Sequence, residues 1–127
     1  MTLYRQGVEG IEYEVAFMLR DRDYYVIRSA GSHGLIDLMA FWEGTSLAIQ
    51  CKKKTMGTKD QEALMSWCDQ HCNHGWPSPI FAYKDKLGHD VAIFLKNLRN
   101  GQMLFAWPVK AIRALRKIKR EELKAAK

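Results

Sequence analysis

The stretch LIDLMAFWEGTSLAIQCKK, residues 35–53, contains two largely apolar segments joined by Glu43-Gly44. A two-residue connection ending in glycine between such segments predicts a β-hairpin. If Trp42 pairs with Thr45, Asp37 lies directly opposite Gln50. Lys52 then follows on the same face, because successive side chains on a strand alternate between faces.

The apolar residues of this hairpin divide between its two faces. Leu35, Met39, Phe41 and Ala48 share the face of the three polar side chains, which therefore have apolar surroundings. Burying charge there is unfavourable unless the groups are paired or bind a ligand. An Asp37–Lys52 salt bridge is one explanation, but a buried ion pair stabilises little and leaves Gln50 unused. The opposite face is expected to form core, with Ile36, Leu38, Ala40, Trp42, Leu47, Ile49 and an inert Cys51.

Residues 5–22 have the apolar spacing of an α-helix, and Glu12 borders its apolar stripe. A glutamate at this position either reaches solvent or faces the sheet. Beside Asp37 it would complete an oxygen-ligand set for a hard cation such as Mg²⁺. Carboxylates, an amide and a lysine around a divalent ion suit phosphodiester hydrolysis by activated water, with Lys52 assisting.

The remaining segments predict an α/β protein with a mixed sheet flanked by helices. The length of 127 residues suits one compact domain. Pro108 is expected to open the last helix, since proline is tolerated at a first helical position. The other predicted elements are strands at 23–29, 80–84, 90–96 and 103–107, and a helix at 59–72.

The composition is that of an ordinary globular protein, with 47% hydrophobic and 27% charged residues. No apolar run is long enough to cross a bilayer, and the N-terminal segment does not resemble a signal peptide. We therefore expect no membrane partner and a cytoplasmic location, associated with the nucleoid or, for a viral protein, in the host cell. Three cysteines, an odd number, argue against a disulfide framework.

The net charge of +6 arises entirely within residues 110–127, which contain eight Lys/Arg and two Glu. Such a segment indicates an acidic partner, most often nucleic acid, or a solubilising tail. One side of this last helix carries a basic stripe that would contact phosphates, and its apolar side would pack on the core or help dimerise. The stripe comprises Lys110, Arg113, Lys117, Arg120 and Lys124, and the apolar side Val109, Ile112, Leu115 and Ile118.

A zinc site is a weaker interpretation of Cys68, His71, Cys72 and His74. Closed zinc sites usually combine two separated ligand pairs, and no second pair with suitable spacing is present. Packing of a cysteine as a small hydrophobic side chain is favoured instead.

An acid at one strand end followed by Gln50-Cys51-Lys52 on the next strand resembles the PD-(D/E)xK nuclease superfamily. With Tyr4-Arg5-x-Gly7, Glu12 and the segment VIRSAGS at 26–32, residues 4–96 are similar to archaeal-type Holliday junction resolvases and their viral relatives. The resemblance implies a restriction-endonuclease-like fold. We expect one nuclease domain, 1–127, with a catalytic core at 1–107 and a basic amphipathic helix at 108–127.

The resemblance also implies roles for individual residues. Glu12, Asp37, Gln50 and Lys52 would be catalytic, and Mg²⁺, or Mn²⁺ in its place, would be held by the first three and the main-chain carbonyl of Cys51. Arg28, Ser29 and Ser32 match the family's phosphate-contacting strand and loop. Arg5, in the matching segment Tyr4-Arg5-x-Gly7, is expected to contact DNA as well. From their positions we add Lys53, Lys54 and the loop residue His33, for which solvation is the alternative, beside Lys110, Arg113, Lys117 and Arg120 of the basic stripe.

The resemblance implies a Mg²⁺-dependent homodimer that would cut four-way junctions in DNA recombination and repair, leaving 5′-phosphate and 3′-hydroxyl ends. Gln50 replaces the glutamate usual in these resolvases, and a loop at 32–36 replaces their basic loop. Two alternatives therefore stay open. One is a nuclease of the same fold acting on flaps, nicks or foreign duplex, and the other is a non-catalytic DNA-binding module.

Overall fold

A computed structural model describes residues 2–29, 34–53, 55–72 and 74–126, with side chains from residue 10 onward. The chain forms one α/β domain in which a six-stranded mixed sheet, ordered β1-β2-β3-β4-β5-β6, is flanked by three helices. No helix within the described ranges has the length and hydropathy needed to span a membrane. The elements are α1 (Thr2–Asp21), β1 (Tyr25–Arg28), β2 (Leu38–Trp42), β3 (Thr45–Cys51), α2 (Thr58–Gln70), β4 (Ser78–Leu87), β5 (Asp90–Asn97), β6 (Met103–Pro108) and α3 (Val109–Ala125).

The predicted hairpin is confirmed, with Trp42 paired to Thr45. Glu43 and Gly44 both have positive φ angles, 42° and 80°, as a tight two-residue turn between twisted strands requires. Strand β2 begins later than predicted, because Asp37 lies outside the regular ladder and its N–H donates to the Ile49 carbonyl at 2.8 Å.

Two residues of the predicted core face are placed differently. Ile36 precedes β2, where strand alternation does not apply, and packs with residues of the opposite face. Trp42, at the end of its strand, is 42% exposed and contacts the ring of Tyr24. The alternation therefore holds within the strands but not at their ends.

Strands β3 and β4 are parallel, and α2 forms the crossover between them. All other neighbouring strands are antiparallel, including a long hairpin of β4 and β5 whose last pair is Leu87 and Asp90. Strand β4 begins earlier than predicted and includes Pro79 as its second residue. Proline has no N–H to donate to the sheet, and it is tolerated there because the position lies near the start of the strand. The Pro79 carbonyl accepts a hydrogen bond from the Leu98 N–H.

The helices cover the two faces of the sheet unequally. Helices α1 and α3 pack on one face, which we call the closed face, and enclose the larger core cluster. Helix α2 packs mainly on β3 and β4 of the other face, which we call the open face, over a smaller cluster that includes Leu64, Cys68 and Phe81. Side chains on the two faces of the β2–β3 hairpin thus contact different helices.

The last helix begins one residue later than predicted. Pro108 ends β6 and precedes the helix with an extended backbone, φ −57° and ψ 133°. Val109 and Ile112 are buried and Leu115 is partly buried, whereas Ile118 is 51% exposed. Only the first half of α3 therefore packs on the domain.

Candidate active site

Asp37 lies at the point where the chain enters β2, and it is buried. Its Oδ2 accepts a 2.7 Å hydrogen bond from the Cys51 N–H at the end of β3. Burial raises the pKa of the Asp37 carboxyl, while this hydrogen bond and the charge of Lys52 lower it in part. Because the pKa of Asp37 is raised overall, the loss of solvation outweighs the hydrogen bond from Cys51 and the charge of Lys52.

Glu12 of α1 is only 4% exposed, so it faces the sheet and not solvent. Burial raises the pKa of the Cys51 thiol well above its usual range, and the negative charges of Asp37 and Glu12 raise it further. Both carboxylates therefore lie within electrostatic range of Cys51. Two acids that are widely separated in the chain thus act on the same residue.

Gln50 precedes Cys51 on β3 and is 7% exposed. Its Oε1 is buried and has no hydrogen-bond partner among the described residues. Buried polar atoms of this kind are uncommon in folded proteins and are typically satisfied by water or an ion. Amide and carboxylate oxygens are ligands that Mg²⁺ and Mn²⁺ accept, so Gln50 and the two acids that act on the neighbouring Cys51 fit the expected cation.

Lys52 forms its ion pair with Asp60 of α2, at 3.6 Å between Nζ and Oδ2. The predicted alternative, a salt bridge from Lys52 to Asp37, is not formed among the described residues. Lys52 nevertheless lies close enough for its charge to lower the pKa of Asp37. Asp60 was not identified from the sequence, where its only signal is an acidic residue in the first turn of a helix.

Arg28, a predicted DNA contact, lies beside Asp37. It pairs with Leu38 in the sheet, and the next residue, Ser29, donates its N–H to the Asp37 carbonyl at 2.9 Å. The Arg28 guanidinium carbon lies 4.2 Å from the ring centroid of Tyr13, and its buried Nε has no partner within the described part of the chain. Tyr13 was not predicted from the sequence either, where its only signal is its position beside Glu12.

Other predicted DNA contacts lie apart from these residues or outside the description. Lys53 is exposed just beyond β3. Ser32, His33 and Lys54 lie outside the described residues, as does the side chain of Arg5 in α1. The structure places the basic stripe on α3, which packs on β5 and β6, at least two strands from β3. Its members Lys110, Arg113, Lys117, Arg120 and Lys124 are all exposed.

The structure offers no support for the zinc interpretation. No three His, Cys, Asp or Glu side chains form a metal-binding group in the described part of the chain. Burial raises the pKa of Cys68 to about 11, which suits a packed thiol. His71 Nδ1 bonds the Trp67 carbonyl of its own helix at 2.8 Å. Two carboxylates with an amide oxygen therefore form the better candidate metal site.

Comparison with known proteins gives a likeness at the level of structure. No protein-family model matches the chain. No curated protein sequence matches it either. Among solved structures, the chain is similar to Hjc of Archaeoglobus fulgidus, described as a Holliday junction resolvase from an archaeal hyperthermophile, with a TM-score of 0.54 and 20% identity. The match covers 72% of each chain and confirms the predicted fold.

Proposed function

We propose that this protein is a Mg²⁺-dependent, structure-selective DNA endonuclease whose substrate is the four-way junction. The observation that carries the proposal is the burial of Glu12, Asp37 and Gln50, whose Oε1 has no hydrogen-bond partner among the described residues, with Lys52 close enough to lower the pKa of Asp37. The resolvase fold of the structural neighbour supports the same reaction class.

The cation would be held by Glu12, Asp37 and Gln50, with the main-chain carbonyl of Cys51 as a further oxygen ligand. When bound, Mg²⁺ or Mn²⁺ lowers the pKa of a coordinated water and neutralises charge on the phosphate. The Cys51 N–H fixes the orientation of the Asp37 carboxylate through Oδ2, which leaves its second oxygen available to a ligand. Gln50 contributes an oxygen without charge, so we expect weaker cation binding than three carboxylates would give.

Lys52 would stabilise the negative charge that develops on the phosphate oxygens during attack. Its side chain is 38% exposed, and the ion pair with Asp60 holds the ammonium between β3 and the start of α2. Arg28 and Ser29 would contact the DNA backbone beside this position. The basic stripe on α3 would add salt-dependent affinity that does not depend on DNA sequence.

A four-way junction presents equivalent strands related by a two-fold axis. A homodimer matches that symmetry, since each protomer meets one of the two strands to be cut. We therefore propose that the active species is a homodimer acting in DNA recombination and repair.

The test is cleavage of an end-labelled immobile four-way junction, read on a denaturing gel with Mg²⁺ and with EDTA. We expect paired, symmetric, Mg²⁺-dependent cuts, and a loss of about 10²–10³-fold in rate for Lys52→Ala. Lys86→Ala, which removes an exposed lysine at the far end of β4, is the matched control and should cleave at the wild-type rate.

Other outcomes select the alternatives. Equal affinity for junction and linear duplex, with cutting, would indicate a nuclease of this fold acting on other DNA. A junction that is bound but not cut, with Mg²⁺ or with Mn²⁺, would contradict catalysis and indicate a binding module. Gln50→Glu would then be the first variant to make.

A further inference from the structure

Tyr13 of α1 and Arg28 of β1 form a stacked pair on the closed face of the sheet. The Arg28 guanidinium carbon lies 4.2 Å from the centroid of the Tyr13 ring. A guanidinium over an aromatic ring at this distance is attracted by the negative face of the ring. Arg22 also lies over rings, but at 5.7 Å from Phe105 and 5.2 Å from Trp107. The stacking of Arg28 is therefore closer than that of Arg22.

The donors of Arg28 are unused within the described part of the chain. Its Nε is buried without a hydrogen-bond partner there, and no described carboxylate forms an ion pair with its guanidinium. By contrast, Arg99 pairs with Asp69, and Arg20 donates to the Val26 carbonyl at 3.0 Å. The N–H groups of a guanidinium lie in its plane, so a ring that covers one face does not block them. Arg28 can therefore stack and still bind an oxyanion through two N–H groups.

The contact between α1 and β1 fixes Tyr13 over Arg28. Tyr13 and Arg20 are seven residues apart on α1, so they lie on the same side of the helix. The hydrogen bond of Arg20 joins this side to Val26, two residues before Arg28 on β1. Because the helix and the strand are held together in this way, the orientation of the guanidinium is set before a ligand binds. Such preorganisation lowers the entropic cost of binding.

The stacked pair also adjoins the candidate active site. Arg28 pairs with Leu38 on β2, the residue that follows Asp37. Tyr13 follows Glu12 on α1 and is 50% exposed, so one part of its ring reaches solvent beside the pair. An oxyanion bound by Arg28 would therefore lie close to the start of β2, where Asp37 is placed to hold the cation. In a DNA substrate, that oxyanion is a backbone phosphate.

We propose that Tyr13 is a positioning residue whose ring orients the Arg28 guanidinium to bind a DNA backbone phosphate beside the candidate cation site. The identity of the ligand rests on the proposed function, in which Arg28 contacts the DNA backbone. The role of Tyr13 is additional to that function. It belongs to the ring and not to the hydroxyl, and it acts only through Arg28.

The test is the fluorescence anisotropy of a labelled four-way junction titrated with the full-length protein in EDTA, where binding is measured without cleavage. We expect Tyr13→Leu, which removes the ring, to raise the dissociation constant by about fivefold. Tyr13→Phe keeps the ring and should bind as wild type does. The matched control is Tyr25→Leu, the same change at an exposed tyrosine on the opposite face of β1, which should also leave the affinity unchanged.

A double-mutant cycle distinguishes positioning from direct contact of Tyr13 with DNA. Arg28→Met removes the donors and should raise the dissociation constant by about tenfold or more. In that background Tyr13→Leu should have no further effect, because the ring acts through the guanidinium. An undiminished fivefold loss in the Arg28→Met background would overturn the proposal. Circular dichroism checks that each variant is folded.

Other results would overturn the proposal as well. These are wild-type affinity for folded Tyr13→Leu, weakened binding by Tyr13→Phe, equal weakening by Tyr25→Leu, or a junction that wild-type protein does not bind in EDTA. The proposed function fails separately. Binding that depends on Tyr13, without cutting in Mg²⁺ or Mn²⁺, would contradict the nuclease and leave the role of Tyr13 standing. Cutting by a protein whose affinity is unchanged by Tyr13→Leu would do the reverse.

Discussion

The two faces of the sheet differ in how completely helices cover them. On the closed face, α1 and α3 enclose a cluster of eighteen buried residues within the described ranges, whereas the open-face cluster has five under α2. The candidate site draws residues from both sides of the sheet, because Glu12 comes from a closed-face helix while Gln50 shares its strand face with Ala48 of the open-face cluster. The comparison indicates that the closed face supplies most of the stability and that the open face leaves surface for partners.

The largest expected effect is on the free energy of unfolding, and it compares the same Leu→Ala substitution on the two faces of the sheet. Leu95 and Leu64 are both fully buried, in the closed-face and open-face clusters respectively. We expect Leu95→Ala to lower the free energy of unfolding by about 4 kcal/mol and Leu64→Ala by about 2–3 kcal/mol, because α2 alone can settle into the smaller cavity. Urea denaturation at pH 7 measures both. Equal losses would show that the open face contributes as much stability as the closed face.

A smaller effect is expected on the affinity of the candidate site for a divalent cation. Gln50→Glu adds a negative charge beside Asp37 and Glu12, so we expect the Mg²⁺ affinity to rise by about tenfold. Calorimetric titration of the protein with Mg²⁺ measures it. The control is Gln70→Glu, the same change at an exposed position at the end of α2, which should leave the affinity unchanged. An unaltered affinity for Gln50→Glu would place the cation elsewhere.

The smallest expected effect is on stability against pH, measured in EDTA. Because burial raises the pKa of Asp37 above its ordinary value of 3.8, the ionised carboxylate destabilises the folded state. That destabilisation is complete above the folded-state pKa and disappears as the pH falls below 3.8. Asp37→Asn keeps an acceptor for the Cys51 N–H, so it should raise the melting temperature by a few degrees at pH 7 and by less at pH 4.

The matched control for this pH series is Asp85→Asn, an exposed residue on β4. Its melting temperature should stay close to that of wild type at both pH values. A lower melting temperature for Asp37→Asn at pH 7 would mean that the contacts of the carboxylate outweigh its burial, contrary to the direction of its pKa.

Much of the fold was predictable because its signals are local. The Glu43-Gly44 turn and the alternation of side chains along β2 and β3 determine the hairpin register, and with it the proximity of Asp37 to Gln50. The order of elements also followed from periodicity and turn residues, since each helix and strand carries its own pattern. The assigned catalytic and DNA-binding roles stay predictions, because they rest on resemblance.

The sequence by itself determined the strands, the turn and the charge of the last helix. Tertiary structure decided what contacts them. The electrostatic effect of Glu12 on Cys51, the pairing of Lys52 with Asp60 and the stacking of Arg28 on Tyr13 each join different elements. The exposure of Tyr25, Ile27 and Phe41 on β1 and β2 likewise depends on where α2 packs. Periodicity shows which face of an element is apolar but not which partner covers it, because that choice depends on the shapes of surfaces that exist only after the chain has folded.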